Sequence, residues 1–136
     1  RMGDPECQVI IPRLNTDIVK IFNTALKNKL SNIKINWKKF KCMTIVLCSK
    51  GYPGKYKKNK IFNNIKKINL KKDSFIFHAG TKLVDKDIVA TGGRVLNIVN
   101  VSNNFAESKK QALTILKDIN WTKGFYRKDI GYKVIS

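Results

Sequence analysis

The chain has 136 residues, 43% of them hydrophobic, and a formal net charge of +19. That length suits one domain burying roughly two thirds of its unfolded surface, and no apolar run approaches the roughly 18 residues of a membrane-crossing helix. Three cysteines and one histidine, at spacings that make neither a disulfide framework nor a metal-ligand pattern, point to free thiols in a reducing cytoplasm.

Residues 1–15 read as loop or irregular extended chain, because Gly3, Pro5 and Pro12 oppose a helix. Asn15, Thr16 and Asp17 form a helix-start cluster. Ile18, Ile21, Phe22, Ala25, Leu26 and Leu30 then recur at helical spacing, which predicts an amphipathic helix over 17–30. Residues 31–40 are a polar connector with Trp37 as anchor. The run Cys42-Met43-Thr44-Ile45-Val46-Leu47-Cys48 predicts a buried strand, in which Cys42 and Cys48 share a face and cannot bridge. Gly51-Tyr52-Pro53-Gly54 turns the chain. Residues 55–72 are Lys- and Asn-rich, with no clear type. Short strands follow at 75–78, 82–84, 87–90 and 94–101. Asn103 or Asn104 caps a second helix, with Phe105, Ala112, Leu113, Leu116 and Ile119 as its apolar stripe. A last strand is expected at 131–135. Short strands joined by tight turns, with one late helix, make an antiparallel α+β domain from about residue 41 onward.

The charge invites a nucleic-acid reading, but its composition opposes one. Lysine outnumbers arginine 24 to 4, beside 17 Ile and 14 Asn. Lys, Ile and Asn are the residues of AT-rich codons, and Arg rather than Lys is the preferred bidentate reader of phosphate and guanine. Solvated lysine faces are therefore expected, with no nucleic-acid and no membrane partner. A basic nucleic-acid-binding module centred on 55–72 is the alternative.

The chain opens on its most chemically loaded stretch, Arg1-Met2-Gly3-Asp4-Pro5-Glu6-Cys7-Gln8, and reads as the back part of a longer protein. The Arg1 guanidinium can bind a phosphate or carboxylate and stabilise an oxyanion; Asp4 or Glu6 can hold an ammonium group. A solvated charged loop is the plainer reading of the same residues. Ser49-Lys50-Gly51-Tyr52-Pro53-Gly54 lacks P-loop spacing and reads as a structural turn. His78-Ala79-Gly80-Thr81-Lys82 and Thr91-Gly92-Gly93-Arg94 each join small residues to a cation. Brought together, they would make an anion site.

Five stretches, RMGDPECQVIIPRL, SKGYPG, FHAGTK, GGRVL and YRKDIGY, occur in an order and at intervals that resemble the C-terminal part of the phosphoribosylamine–glycine ligase (glycinamide ribonucleotide synthetase) family. They run from Arg1 to Tyr132, with Met2 where the family usually has Phe. The resemblance implies an ATP-grasp ligase of purine biosynthesis that joins glycine to 5-phosphoribosylamine through a glycyl phosphate, with ATP and Mg or Mn as cofactors. It implies that residues 1–40 are the tail of the ATP-grasp domain, and that 41–136 are a small sandwich- or barrel-like C-terminal domain with one helix. The family's metal-binding Glu and Asn precede the position of Arg1, so this stretch alone is expected to bind neither metal nor ATP and to be inactive. Arg1, Asp4 and Glu6 take catalytic roles by that match. Gly3 joins them at the substrate pocket, and Lys82, Gly92, Gly93 and Arg94 hold the ribose phosphate. The partners implied are the two substrates and the rest of the enzyme's own chain.

Overall fold

The computed structural model describes residues 2–135. It is α+β, with seven strands in two antiparallel sheets and three α-helices. The larger sheet has the order β3-β6-β1-β7, where β1 is Lys41–Ser49, β3 is Ser74–His78, β6 is Arg94–Ser102 and β7 is Gly124–Phe125. The smaller sheet has the order β2-β5-β4, formed by Lys60–Ile61, Asp87–Ala90 and Thr81–Val84.

The β1–β6 pair is the centre. Its register runs from Lys41 opposite Ser102 to Leu47 opposite Leu96, then shifts so that Cys48 faces Arg94. Directly opposed residues share a face, so Ile45, Leu47, Leu96 and Ile98 point together toward helix α3, Phe105–Ile119. That helix answers with Ala112, Ile115, Leu116 and Ile119, spaced at three and four residues. Burying each larger apolar side chain stabilises the fold by about 1.5–3 kcal/mol. Asn104 rather than Asn103 caps α3, accepting from the Glu107 N–H at 2.8 Å. Asn120 closes the helix at φ 45°, in the left-handed region.

The opposite face of the same strands carries Cys42, Thr44, Val46, Asn97 and Val99. Helix α1, Cys7–Arg13, packs against β1 and β6. The loop expected over 1–15 is therefore partly helical. Pro5 lies ahead of the helix, where a missing N–H costs nothing, and Pro12 sits in the last turn, where the helix loses one bond and ends at the next residue, Arg13.

Helix α2, Ile18–Leu26, begins as expected. Asp17 accepts from the Val19 and Lys20 N–H groups at 2.7 and 3.1 Å. It stops short of residue 30 because Asn28 takes φ 55°, and Leu30–Asn32 forms a separate 3₁₀ turn. Its apolar stripe is not buried; Phe22 is 52% and Leu26 82% exposed. Trp37 bridges Leu14 but is itself exposed.

The ambiguous 55–72 segment contributes β2 and a 3₁₀ turn, Ile65–Lys67. Phe62 and Ile65 anchor it in the core. Phe62 stacks on Trp121 at 4.3 Å, and the indole N–H donates to the Ile61 carbonyl at 3.1 Å. The strand expected at 131–135 is a turn instead. Gly131 takes φ +80°, and its carbonyl accepts from Val134 and Ile135, so those amides are spent locally. The last strand is β7, which pairs with the other edge of β1 opposite Cys48 and Ser49.

Because Leu116 is 4% exposed at the centre of the α3 contact, Leu116→Ala should cost about 2–5 kcal/mol. Urea unfolding should show a lower midpoint with an unchanged slope; a loss below that range would mean α3 is a peripheral cover.

Candidate functional site

Three turns meet at one end of the central ladder. The 78–82 and 91–94 segments touch through glycine backbone. A Cβ on Gly80 would lie 2.6 Å from the Gly92 Cα and 2.7 Å from the Arg94 carbonyl oxygen, so only hydrogen fits. The Gly80 N–H donates to the Arg94 carbonyl at 2.9 Å, and the Gly80 carbonyl accepts from Thr91 and Gly92 at 2.8 and 3.2 Å. Ser49, at the end of β1, ties the third turn in. Its hydroxyl donates to the Gly92 carbonyl and its N–H to the Gly93 carbonyl, both at 2.8 Å. The Tyr52 ring lies against Gly93, in the space a side chain would take.

The opening segment arrives at the same place. Arg94 Nη1 donates to the Asp4 carbonyl oxygen at 2.8 Å, and Nη2 lies 3.2 Å from Asp4 Oδ2. Gln8 Nε2 donates to Asp4 Oδ1 at 3.2 Å. The Arg94 and Asp4 side chains are 42% and 44% exposed. In water such a pair contributes about 0–1 kcal/mol of stability, but its two-point geometry fixes orientation. Arg94 has five N–H donors; this contact uses one on each terminal nitrogen.

The residues expected to act therefore fall into three groups. Gly3, Asp4, Gly92, Gly93 and Arg94 are brought together. Glu6 stands at the start of α1 and is exposed, its carboxylate lying against Gly3. Lys82 lies on β4 opposite Val89, exposed, with no hydrogen bond or ion pair among the described residues. Arg1 lies outside the described residues. The Gly92 N–H and both glycine carbonyls are occupied within the fold, so what these glycines visibly provide is close approach of three turns. His78 ends β3 and shares a 2.9 Å hydrogen bond with Thr81 Oγ1. The sequence placed Ser49 and Tyr52 in a structural turn and Gln8 in the opening segment, but gave none of the three a role at this site. A serine at a strand end carries no spacing signal, and its role appears only with the β1–β6 register.

Burial pushes the Cys42 thiol up to about 11, with Arg13 pulling more weakly the other way. Cys48 is raised by burial against the opposing pull of Arg94. Both stay protonated at neutral pH and are poor nucleophiles. In the YRKDIGY stretch, the hydrogen bond from Arg127 holds the Asp129 carboxyl below the usual carboxylate range. Among the described residues, no group of three or more His, Cys, Asp or Glu is placed to hold a metal ion, and no helix is long and apolar enough to cross a membrane.

A family model described as phosphoribosylglycinamide synthetase, C domain, matches residues 42–133. The chain belongs to that family. It is 41% identical over 135 residues to a phosphoribosylamine–glycine ligase of Brucella melitensis, covering 99% of this chain and 32% of that protein. It is 39% identical over 137 residues to a chloroplastic phosphoribosylamine–glycine ligase of Arabidopsis thaliana, covering 99% and 26%. The crystal structure of phosphoribosylamine–glycine ligase from Thermotoga maritima superposes with a TM-score of 0.69 at 29% identity, covering 95% of this chain and 31% of that one. The chain thus spans about a third or less of the length of these relatives.

The shifted thiol makes stability depend on pH. Between pH 9.0 and about 11 an unfolded chain loses the Cys42 proton while the folded chain keeps it. Folding stability is full below that window and falls as pH rises through it. Urea midpoints should decline over this range, and Cys42→Ala should remove part of the decline, leaving the part due to Cys48, which burial also raises. Parallel curves for the two proteins would refute burial as the cause.

Proposed function

We propose that this chain is part of an ATP-dependent carbon–nitrogen ligase that joins glycine to 5-phosphoribosylamine, giving glycinamide ribonucleotide, ADP and phosphate in purine biosynthesis. The observation that carries the reading is the junction of Asp4 with Arg94. Residues 90 apart in sequence, from two of the five family-like stretches, meet in one place. In this reading residues 1–40 are the tail of an ATP-grasp domain and residues 41–136 are the C-terminal domain, with the remainder of the enzyme covering the exposed apolar stripe of α2. A cytoplasmic setting goes with it, as do unpaired cysteines.

Arg94 holds the acidic segment with two donors and keeps its remaining N–H groups for the ribose phosphate. Lys82 supplies a second positive charge on that side of the turn cluster. Gly3, Asp4 and Glu6 line the pocket for glycine and the ribosylamine, where a carboxylate favours an ammonium group over a neutral amine. Arg1 follows the metal-binding asparagine of the family pattern and positions the reacting acid while stabilising charge that develops on oxygen. ATP and a divalent Mg or Mn ion supply the activation of glycine as an acyl phosphate. In this reading the metal ion and the ATP that activates glycine are held by the rest of the enzyme.

In the whole ligase, Arg94→Ala should raise KM for phosphoribosylamine by about tenfold or more, the loss expected for a charge-assisted hydrogen bond. KM for glycine and ATP should change little. Asp4→Asn keeps the guanidinium and separates phosphate binding from positioning. An unchanged KM in Arg94→Ala would remove the phosphate role. The 136-residue chain by itself should show no turnover with ATP, glycine and phosphoribosylamine; measurable product would refute the division of labour.

A further inference from the structure

The turn after β1 builds a second site that shares no lining residue with the one above. Gly51 takes φ +101°, and the chain folds back until the Lys55 carbonyl fills the place of a Cβ. The Tyr52 N–H returns to the Ser49 carbonyl at 3.1 Å, and the Lys50 N–H donates to the Lys123 carbonyl at 2.9 Å. These bonds pin two distant lysines side by side. Tyr56 is half-buried and edge-on to Tyr52, with ring centres 6.2 Å apart. Between these elements lies a cavity of about 520 Å³, lined by Lys50, Lys55, Tyr56, Lys57, Lys60 and Lys123.

Five of the six lining residues are cations and none is an acid. A pocket on the outer surface of α3, with Lys109, Lys110 and Lys117, also lacks an acid, but it gathers three cations rather than five. The two cavities that carry Lys71 also carry carboxylates, Asp73 and Glu107 in one and Glu107 and Asp118 in the other. No Asp or Glu occurs between Asp17 and Asp73, the stretch that supplies four of the five lysines. Lysines converging on one cavity repel each other, and a bound polyanion relieves that repulsion. The volume lies within the range of small-ligand sites. Lysine binds phosphate as a point charge, and the Tyr56 hydroxyl can add a neutral donor.

We propose that this cavity binds an oligophosphate, a compact ligand with contiguous phosphate groups, either free or as the tail of a nucleotide. The proposal does not rest on the ligase reading and stands or falls separately from it. Isothermal titration of the 136-residue chain with tripolyphosphate should give a saturable single-site isotherm that weakens as salt rises. Lys55 and Lys57 are exposed, so the double variant K55Q/K57Q keeps the fold, verified by circular dichroism, and should bind about tenfold more weakly. The variant K109Q/K110Q removes the same charge from the outer surface of α3, where Lys109, Lys110 and Lys117 cluster, and should bind within about twofold of the parent. Titration with ATP separates the sources. Tighter binding than tripolyphosphate, reduced to the tripolyphosphate level in Tyr56→Leu, assigns a nucleotide tail, and equal binding assigns the free oligophosphate. Equal losses in the two lysine variants, or binding of ATP without binding of tripolyphosphate, would overturn the proposal.

Discussion

The antiparallel pairing of β1 with β6 is the constraint on which the rest depends. Its ladder satisfies the backbone of the two longest strands, and both faces of it are covered. Ile45, Leu47, Leu96 and Ile98 meet α3 on one side, and α1 packs on the pair from the other. The shift in register after Leu47 matters as much as the ladder. It sets Cys48 opposite Arg94 and leaves Ser49 at the end of its strand, aimed at the glycine turn. Without that shift the hydroxyl that ties Gly92 would not reach it.

Everything at the candidate site follows from that end of the ladder. The glycines act by having no side chain, which lets the 78–82, 91–94 and 49–54 turns approach to backbone contact. The Asp4–Arg94 pair contributes little energy, since both groups are wet. Its value is directional, because it sets the acidic segment against the glycine turn. At the lysine cavity a different device is used: Gly51, with positive φ, folds the turn so that lysines gather with no carboxylate among the lining residues.

The two parts of the chain differ in how they hold themselves. No residue of α1 or α2 is buried, while β1, β6 and α3 carry most of the core. Residues 2–40 are ordered by caps, local helix bonds and a few links such as Leu14 to Trp37, and they present Val19, Phe22 and Leu26 to solvent.

Local signals were legible where one residue type has one physical use. Apolar runs placed β1 and β6, the helical spacing placed α2 and α3, and the order of five short stretches was enough for the family. They failed where local chemistry was outvoted. Pro12 read as a helix breaker but fits the final turn, and 131–135 read as a strand but its amides were captured by the Gly131 carbonyl. The sequence by itself determined composition, class, family and the candidate residues, because those depend on residue identity and spacing. Only the tertiary structure decided that Asp4 meets Arg94, that Ser49 closes the glycine turn and that five lysines share one cavity. Asp4 and Arg94 are 90 positions apart, Ser49 and Gly92 are 43 apart, and the cavity joins Lys123 to four lysines of the 50–60 stretch; such pairings depend on how the strands and turns assemble, which a local pattern does not encode.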